Sequence, residues 1–329
     1  MRVGIDTTPL RQTSAGTARH LQGLLAALEA RPGLELHRFS FPVSGRLGVV
    51  ALDAGWYPAG LPIEALRARV DVLHCPTQRA PLTGRVPLVV TIHDLAVLRH
   101  PELFNAWTRR YSAVAVPRVV RAARRVIAVS RFTRDELVAL LRAPAEKVRV
   151  VPNGLGRAFR PDGPRARGDY VLAVGTLEPR KNLPRLVEAA RLAGAELRVV
   201  GARGWGGVEV GGPGVSWLGP LPEEEVAALV RGARCLAYPS LYEGFGLPVL
   251  EAMACGTPVV TSRGGATEET AGGAAVLVDP RDPRSIADGI AEAQARCDEL
   301  RALGLERARA FTWEAAAAAT HAVYEEAAG

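Results

Sequence analysis

Residues 234–261 carry the sequence RCLAYPSLYEGFGLPVLEAMACGTPVVT, and this stretch decides the fold class. Arg234–Pro239 is an apolar run of strand length, Leu247–Ala254 has helical spacing with Pro248 in its first turn, and Thr257–Thr261 is a second apolar run. A strand, a helix and another strand that is apolar throughout are typical of a parallel sheet buried on both faces. The stretch therefore predicts a βαβ unit.

The same alternation extends outward from this unit along the whole chain of 329 residues, of which 48% are hydrophobic. A polar bridge rich in Gly and Pro, residues 152–169, separates two series of strands. The predicted strands are Val3–Asp6, Leu34–Phe41, Val70–Cys75, Leu88–His93, Arg125–Ser130 and Arg149–Val151, followed by Tyr170–Gly175, Glu196–Gly201, Arg234–Pro239, Thr257–Thr261 and Ala275–Val278. We expect an α/β protein with two Rossmann-like, doubly wound domains that face each other across a ligand cleft.

The predicted domain limits follow the bridge. Residues 1–152 form the first domain, 153–169 the linker with a hinge at Pro152–Gly154, and 170–311 the second domain. A helical pattern runs from Asp298 to the end of the sequence, and we expect its last part, residues 312–329, to pack back on the first domain.

Charge differs between the two halves. Residues 1–160 contain 24 Lys and Arg against 11 Asp and Glu, whereas residues 161–329 contain 17 against 23. A basic half beside an acidic half favours an anionic partner on one domain, such as a phospholipid surface or a phosphorylated acceptor, over a nucleic acid. Codon usage explains an arginine-rich composition equally well. The four cysteines form no CxxC pair and indicate neither a zinc site nor a disulfide framework.

The turn EGFG, residues 243–246, precedes the helix that begins at Leu247. The N–H groups of Phe245, Gly246 and Leu247 then have no partner inside the helix, which makes its N-terminus a phosphate site. Glu243 and Glu251 would lie near this anion site, where carboxylates suit sugar and ribose hydroxyls. The alternative is that Glu243 caps the turn and Glu251 is a solvated helix residue.

A second motif, GTLEPRKNLPRLVEAA, spans residues 175–190. A strand ends at Gly175, and Asn182 is the predicted N-cap of the next helix. Arg180 and Lys181 lie just before that helix, where cations are disfavoured unless an anion joins them. They suit a diphosphate, and the alternative is two solvated cations near a helix start.

EGFGLPVLEAMACGTPVV, VGTLEPRKNL and PNG at residues 152–154 together closely resemble the retaining glycosyltransferases of family 4, which have the GT-B fold. GIDTTPL, VDVLHCPTQ, VVTIHDLAVLRHPE and VIAVSRFTRDEL extend the resemblance over the first domain. Within the family, the sequence looks most like bacterial mannosyltransferases that extend polysaccharides or lipid-linked glycans.

The resemblance implies a role for each matching residue. Glu251 would hold the nucleotide ribose, Glu243 the transferred sugar, and Arg180 with Lys181 the diphosphate. The backbone of Gly246 and Leu247 matches the donors to phosphate, and Phe245 and Gly175 would lie in the same donor site. His93 matches the active-site histidine, and Gly16, in the loop SAGTAR at residues 14–19, matches the glycine that approaches donor and acceptor. Asp94 would accept a proton from His93 or cap the turn.

The implied reaction moves a hexose from a nucleotide-diphosphate sugar to a glycan or lipid-linked acceptor. GDP-mannose is the first choice of donor, and UDP-glucose or UDP-N-acetylglucosamine the second. No Asp-x-Asp motif is present, so we expect no metal ion or other cofactor. An epimerase or phosphorylase of similar fold, or a basic protein that binds nucleic acid, remains as an alternative.

The segment Arg109–Arg125 carries six arginines. Arg110, Val114, Arg118, Arg121 and Arg125 would share one helical face that could contact an anionic membrane. A solvated arginine face interrupted by Pro117 is an equally good interpretation. No signal-like or membrane-spanning apolar run is present, so we expect a cytoplasmic protein, with this segment as a peripheral membrane contact.

Overall fold

The computed structural model describes residues 1–12, 16–43 and 45–329. The chain divides into two compact units, one formed by Met1–Gly154 with Thr312–Gly329 and the other by Leu155–Phe311. Each unit contains one six-stranded parallel sheet with helices around it, which confirms the predicted α/β class. Ser14 and Ala15 of the predicted glycine loop lie outside the described residues.

The sheet of the first unit has the strand order β2-β1-β3-β4-β5-β6. Its strands are β1 (Arg2–Asp6), β2 (Glu35–Phe39), β3 (Val72–Cys75), β4 (Leu88–Ile92), β5 (Arg125–Ala128) and β6 (Val148–Val150). All six correspond to predicted strands. The helices of this unit are α1 (Pro9–Gln12), α2 (Gly16–Glu29), α3 (Gly45–Ala51), α4 (Leu61–Arg67), α5 (Ala96–Arg99), α6 (Ala106–Ala122), α7 (Arg131–Leu141) and α14 (Trp313–Ala328).

Successive residues of the central strand β4 supply two different cores, as expected for a sheet covered on both faces. Val89 packs in one core with residues of α2 and with Val323 and Tyr324 of α14. Val90 packs in the other core with residues of α4, α6 and α7. The last helix of the chain is therefore part of the first unit's core.

The sheet of the second unit has the order β12-β11-β10-β7-β8-β9. Its strands are β7 (Tyr170–Val174), β8 (Glu196–Val200), β9 (Val215–Trp217), β10 (Cys235–Tyr238), β11 (Val259–Ser262) and β12 (Val276–Val278). Its helices are α8 (Leu183–Leu192), α9 (Glu223–Gly232), α10 (Leu247–Ala254), α11 (Ala266–Ala271), α12 (Pro283–Ala295) and α13 (Cys297–Ala308). Because β7 and β10 are neighbours, the loops after these two strands leave the sheet side by side.

The structure contains elements that the sequence analysis did not predict. Residues 45–60, for which no element was predicted, form α3 and a π-helical segment at Leu52–Gly60. The edge strand β9 was not predicted. The helical pattern after Asp298 is split into α13 and α14, because Thr312 starts a new helix and its Oγ1 accepts a hydrogen bond from the N–H of Ala315 at 3.1 Å.

Two further findings concern the linker and membrane insertion. Residues 155–169 fold with the second unit, where the buried guanidinium of Arg231 donates to the carbonyls of Ala158 and Pro164 at 3.1 and 2.7 Å. Among the helices in the described part of the chain, none combines the length and the apolar character that crossing a membrane requires.

Candidate active site

Four polar side chains meet where β7 and β10 of the second unit end. Glu243 receives hydrogen bonds on one oxygen from Lys181 Nζ at 2.5 Å and from the Tyr238 hydroxyl at 2.9 Å. Its other oxygen accepts a hydrogen bond from Nη1 of Arg180 at 2.9 Å. Lys181 also lies 2.6 Å from the Tyr238 hydroxyl. The two predicted diphosphate ligands and the first predicted glutamate therefore form one ion cluster, which we call the Arg180–Lys181–Glu243 cluster.

Burial and charge act in opposite directions within this cluster. Burial alone would raise the pKa of Glu243, but the positive charges of Arg180 and Lys181 outweigh it and lower that pKa to about 2. Burial lowers the pKa of Lys181, and Glu243 opposes that shift. Burial also raises the pKa of Glu178, whose carboxylate pairs with Arg180 Nε at 2.7 Å. Glu243 is thus the ionised acceptor of the cluster at neutral pH.

Asn182 stands at the N-cap position of α8, as the sequence predicts. Its φ of 61° is left-handed, however, and its side chain makes no capping bond. Instead, its Nδ2 donates to the carbonyls of Pro239 and Pro280 at 3.0 and 2.5 Å. Asn182 therefore ties the loop after β7 to the loop after β10, which places Lys181 near Glu243.

Gly175 directly follows β7 and has a φ of +154°. A Cβ added there would lie 3.2 Å from Cε of Lys181, closer than most Cβ contacts. The absence of a side chain at Gly175 therefore leaves room for the Lys181 chain to reach the cluster.

The start of α10 has the backbone geometry that the sequence predicts for an anion site. Gly246 is left-handed, with φ 98°, and Pro248 stands in the first turn. Within the described part of the chain, none of the hydrogen bonds found uses the N–H of Phe245, Gly246 or Leu247. Phe245 itself is buried and packs edge-on against Phe311. The helix N-terminus thus lies three residues after Glu243, with donors for an anion.

Glu251 lies inside α10 and is only 4% exposed. The alternative of a solvated helix residue is therefore excluded for Glu251. Glu243, at 9% exposure, contacts cations and a tyrosine rather than capping its turn. The predicted contacts of both glutamates with ligand hydroxyls remain predictions.

In the first unit, His93 directly follows β4, and its Nε2 donates to the carbonyl of Pro76 at 2.9 Å. Burial lowers the pKa of His93, which favours the neutral imidazole. Asp94 Oδ1 accepts the N–H of Ala96 at 3.0 Å, so Asp94 caps the turn as one of its two predicted roles requires. Gly16 begins α2, and a Cβ at this position would have no heavy atom within 4 Å.

Another histidine near His93, the buried His20, was missed by the sequence analysis. The rings of His20 and His93 lie edge to face with centroids 4.6 Å apart. His20 Nδ1 pairs with Asn153 Oδ1 at 2.7 Å. His20 lies beside Leu21 and Leu24 on the buried face of an amphipathic helix, where a histidine looks like an ordinary core residue. Of His20 and Asn153, only Asn153 lies in a motif that the sequence analysis identified, PNG at residues 152–154.

The predicted basic face on α6 is shorter than expected. The helix continues past Pro117 to Ala122, so Pro117 does not interrupt it. Arg125 lies in β5 rather than on the helix, and its Nε pairs with Glu326 at 3.0 Å. Arg109, Arg110, Arg118 and Arg121 are exposed on α6.

Among the described residues, no three His, Cys, Asp or Glu side chains lie close enough together to hold a metal ion.

Two family descriptions match the chain. Residues 15–157 match Glycosyltransferase Family 4, and residues 168–295 match Glycosyl transferases group 1. The O-antigen chain mannosyltransferase B of Escherichia coli is 33% identical over 69% of this chain and 67% of its own length. An MMP alpha-(1->4)-mannosyltransferase of Mycolicibacterium hassiacum is 34% identical over 73% of this chain and 66% of its own length. This chain thus spans about two thirds of each of these relatives.

Other similar proteins carry different names. A D-inositol 3-phosphate glycosyltransferase of Thermobispora bispora is 30% identical over 94% of this chain and 84% of its own length. The solved structure of sucrose-phosphate synthase from Thermosynechococcus elongatus superposes with a TM-score of 0.82 at 21% identity, covering 99% of this chain and 98% of that one. The shared fold, the family matches and these identities lead to one conclusion: the chain belongs to the family 4 glycosyltransferases and has the GT-B fold.

Proposed function

We propose that this glycosyltransferase moves mannose from GDP-mannose to a glycan or lipid-linked acceptor, with retention of configuration and without a metal ion. The observation that carries the proposal is the Arg180–Lys181–Glu243 cluster beside the N-terminus of α10. Two cations and free N–H donors in one place suit a diphosphate leaving group. The names of two mannosyltransferase relatives support the choice of sugar.

In the proposed step, the bond between the anomeric carbon and the diphosphate oxygen breaks, and the acceptor oxygen bonds to the same face of that carbon. The acceptor proton passes to the departing diphosphate oxygen. Arg180, Lys181 and the N–H groups at the start of α10 stabilise the charge that grows on the diphosphate. The side chain of Lys181 is 11% exposed and is held by Glu243 and Tyr238, so it is positioned for this before the reaction begins.

A thermal-shift panel of GDP, UDP, dTDP and ADP, each with and without EDTA, tests the donor. A ligand at 100 times its dissociation constant adds about 2.7 kcal/mol to stability, which corresponds to several degrees for domains of this size. We expect GDP to give an EDTA-insensitive shift that is lost in Glu251→Ala and kept in Glu188→Ala, which removes an exposed glutamate of α8. A shift with another diphosphate alone would overturn the choice of GDP, and a shift that EDTA abolishes would overturn metal-independent binding.

Transfer itself is tested with radiolabelled GDP-mannose and Lys181→Ala. Removing one preorganised donor to the leaving group should lower turnover about 100-fold. Lys147→Ala, which removes the other lysine of the chain, should leave turnover unchanged. A loss below threefold in Lys181→Ala would contradict the assigned role, and product formed without an acceptor would favour an epimerase.

We further propose that the exposed arginines of α6 make a peripheral contact with anionic lipid. Sedimentation with vesicles that contain anionic lipid should carry the protein down at low salt and release it at high salt, because exposed charges are screened. Equal sedimentation with neutral vesicles would contradict an electrostatic contact.

A further inference from the structure

A cavity of about 470 Å³ opens beside α6 in the first unit, and two exposed arginines of that helix, Arg110 and Arg118, line it. Its walls come from α6, the π-helical segment Leu52–Gly60 and the loop after β3. Its size falls within the range of roughly 300–1,000 Å³ typical of sites for small molecules. None of the proposed donor contacts uses this cavity.

The lining is mostly apolar, and part of it is unusually exposed. Its apolar and aromatic residues are Tyr57, Pro58, Ala80, Leu82, Trp107, Tyr111, Val114, Ala115 and Val119. Trp107 is 73% exposed and stacks on Tyr111 with ring centroids 6.4 Å apart. Leu82 and Val114 are also exposed by nearly half. A contiguous apolar patch of this kind on a monomer usually marks a binding site.

The charged residues of the cavity give it a positive rim. Arg110 and Arg118 line it from α6, two turns apart with Val114 between them, and both are exposed. No ion pair of either arginine is found in the described part of the chain. Asp53 is the only acidic residue among the described residues that line the cavity, and it already accepts from the Tyr111 hydroxyl at 3.3 Å and lies 3.7 Å from Arg79. The net charge facing the cavity is therefore positive.

An apolar hollow with a cationic rim is complementary to an amphiphile that has an anionic head. A bare glycan would need free carboxylates or amides for its hydroxyls, and Asp53 is already engaged. Inorganic phosphate would leave the apolar walls unused. We propose that this cavity binds the hydrocarbon chain of a lipid acceptor whose phosphate pairs with Arg110 and Arg118. This deepens the proposed function, on which it rests, by naming the class of acceptor.

The test measures binding of decyl phosphate, below its critical micelle concentration, to the full chain by titration calorimetry. Decyl maltoside has the same hydrocarbon chain but no charge, and inorganic phosphate has the charge but no hydrocarbon chain. Three variants are compared with the wild type. Arg110→Glu/Arg118→Glu reverses the rim, Ala115→Trp fills the cavity, and Arg109→Glu/Arg121→Glu makes the same change of charge at exposed arginines of α6 outside the lining.

We expect saturable binding of decyl phosphate, at least tenfold weaker in the rim-reversed and filled variants and within twofold of wild type in the matched control. The emission of Trp107 should shift to the blue on binding, and Trp107→Phe should remove that shift because this side chain lies at the mouth of the cavity. The rim variants change only exposed side chains, so the proposal stays falsifiable even where Ala115→Trp does not fold.

Several results would overturn the proposal. Equal weakening in the two double variants would show attraction to the whole helix rather than to the cavity. If inorganic phosphate binds as tightly as decyl phosphate, the hydrocarbon chain contributes nothing to binding. If decyl maltoside binds as tightly as decyl phosphate, the negative charge contributes nothing to binding. A mannose oligosaccharide that displaces decyl phosphate would assign the cavity to a glycan. Because GDP binding is read separately by thermal shift, failure here leaves the proposed donor chemistry intact.

Discussion

The carboxylate of Glu243 accepts hydrogen bonds from two cations and a tyrosine. Since its pKa is lowered from 4.5 to about 2, its interactions contribute to stability above pH 4.5 and are lost as the pH falls towards 2. A shift of this size corresponds to about 3 kcal/mol, taking about 1.4 kcal/mol for each pKa unit.

Glu243→Gln should therefore destabilise the second unit at pH 7. The difference in the free energy of unfolding between this variant and the wild type should become smaller between pH 5 and pH 3. Removing one partner of a buried ion pair costs about 3–5 kcal/mol in comparable cases because the remaining charges stay buried. Urea unfolding at several pH values measures this. If the difference in the free energy of unfolding does not change with pH, the lowered pKa of Glu243 is contradicted.

Gly246 allows a second residue-scale prediction. Its φ of 98° is strained for any L residue, by roughly 1–2 kcal/mol, and an added Cβ would lie 3.0 Å from Thr267 Cγ2. Gly246→Ala should destabilise the unit and weaken nucleotide binding. Gly273→Ala, at φ 89° with open space around the Cβ, should cost similar stability and leave nucleotide binding unchanged. Equal loss of nucleotide binding in both variants would attribute the effect to backbone strain in general.

At the scale of elements, buried parallel strands were predictable because they are uninterrupted apolar runs, as in Leu88–His93. The edge strand Val215–Trp217 was not, because it has three residues in a glycine-rich stretch, and its pairing with β8 creates the strand. The residues of the candidate site divide in the same way, into those that the local sequence reveals and those that it does not. The adjacent Arg180 and Lys181 drew attention by their charge, whereas the roles of Tyr238 and His20 depend on contacts between distant parts of the chain that local spacing does not reveal.

The start of α14 offers a test at this scale. A Cβ added to Gly154 would clash with the backbone N of Trp313 and would lie 2.7 Å from the carbonyl carbon of Thr312. Backbone atoms cannot move aside as a flexible side chain would. Gly154→Ala should destabilise the first unit by about 1–3 kcal/mol, the usual cost of overpacking. Gly84→Ala, with open space around its Cβ, is the control. Equal unfolding midpoints for both variants would contradict the tight approach.

For the whole molecule, the two units have separate hydrophobic cores. Residues 155–311 expressed alone should therefore unfold cooperatively. Residues 1–154 alone should not fold stably, because Tyr324 is fully buried in the first unit and its hydroxyl bonds to His74 Nδ1 at 2.7 Å. Calorimetry of the two pieces, and of 1–154 with a peptide of residues 312–329 added, decides the matter. Cooperative unfolding of 1–154 without the peptide would contradict the structural role of α14.

The discontinuity of the first unit also sets an order of events during synthesis. A ribosome delivers residues 1–154 first, but the helix that completes their core emerges only after all of residues 155–311. Domains generally fold as they emerge, at about 5–20 residues per second. The second unit can thus finish folding first, while the nascent first unit waits about 10–30 s with the apolar surface under α14 uncovered. Chaperone binding during translation should concentrate on that surface.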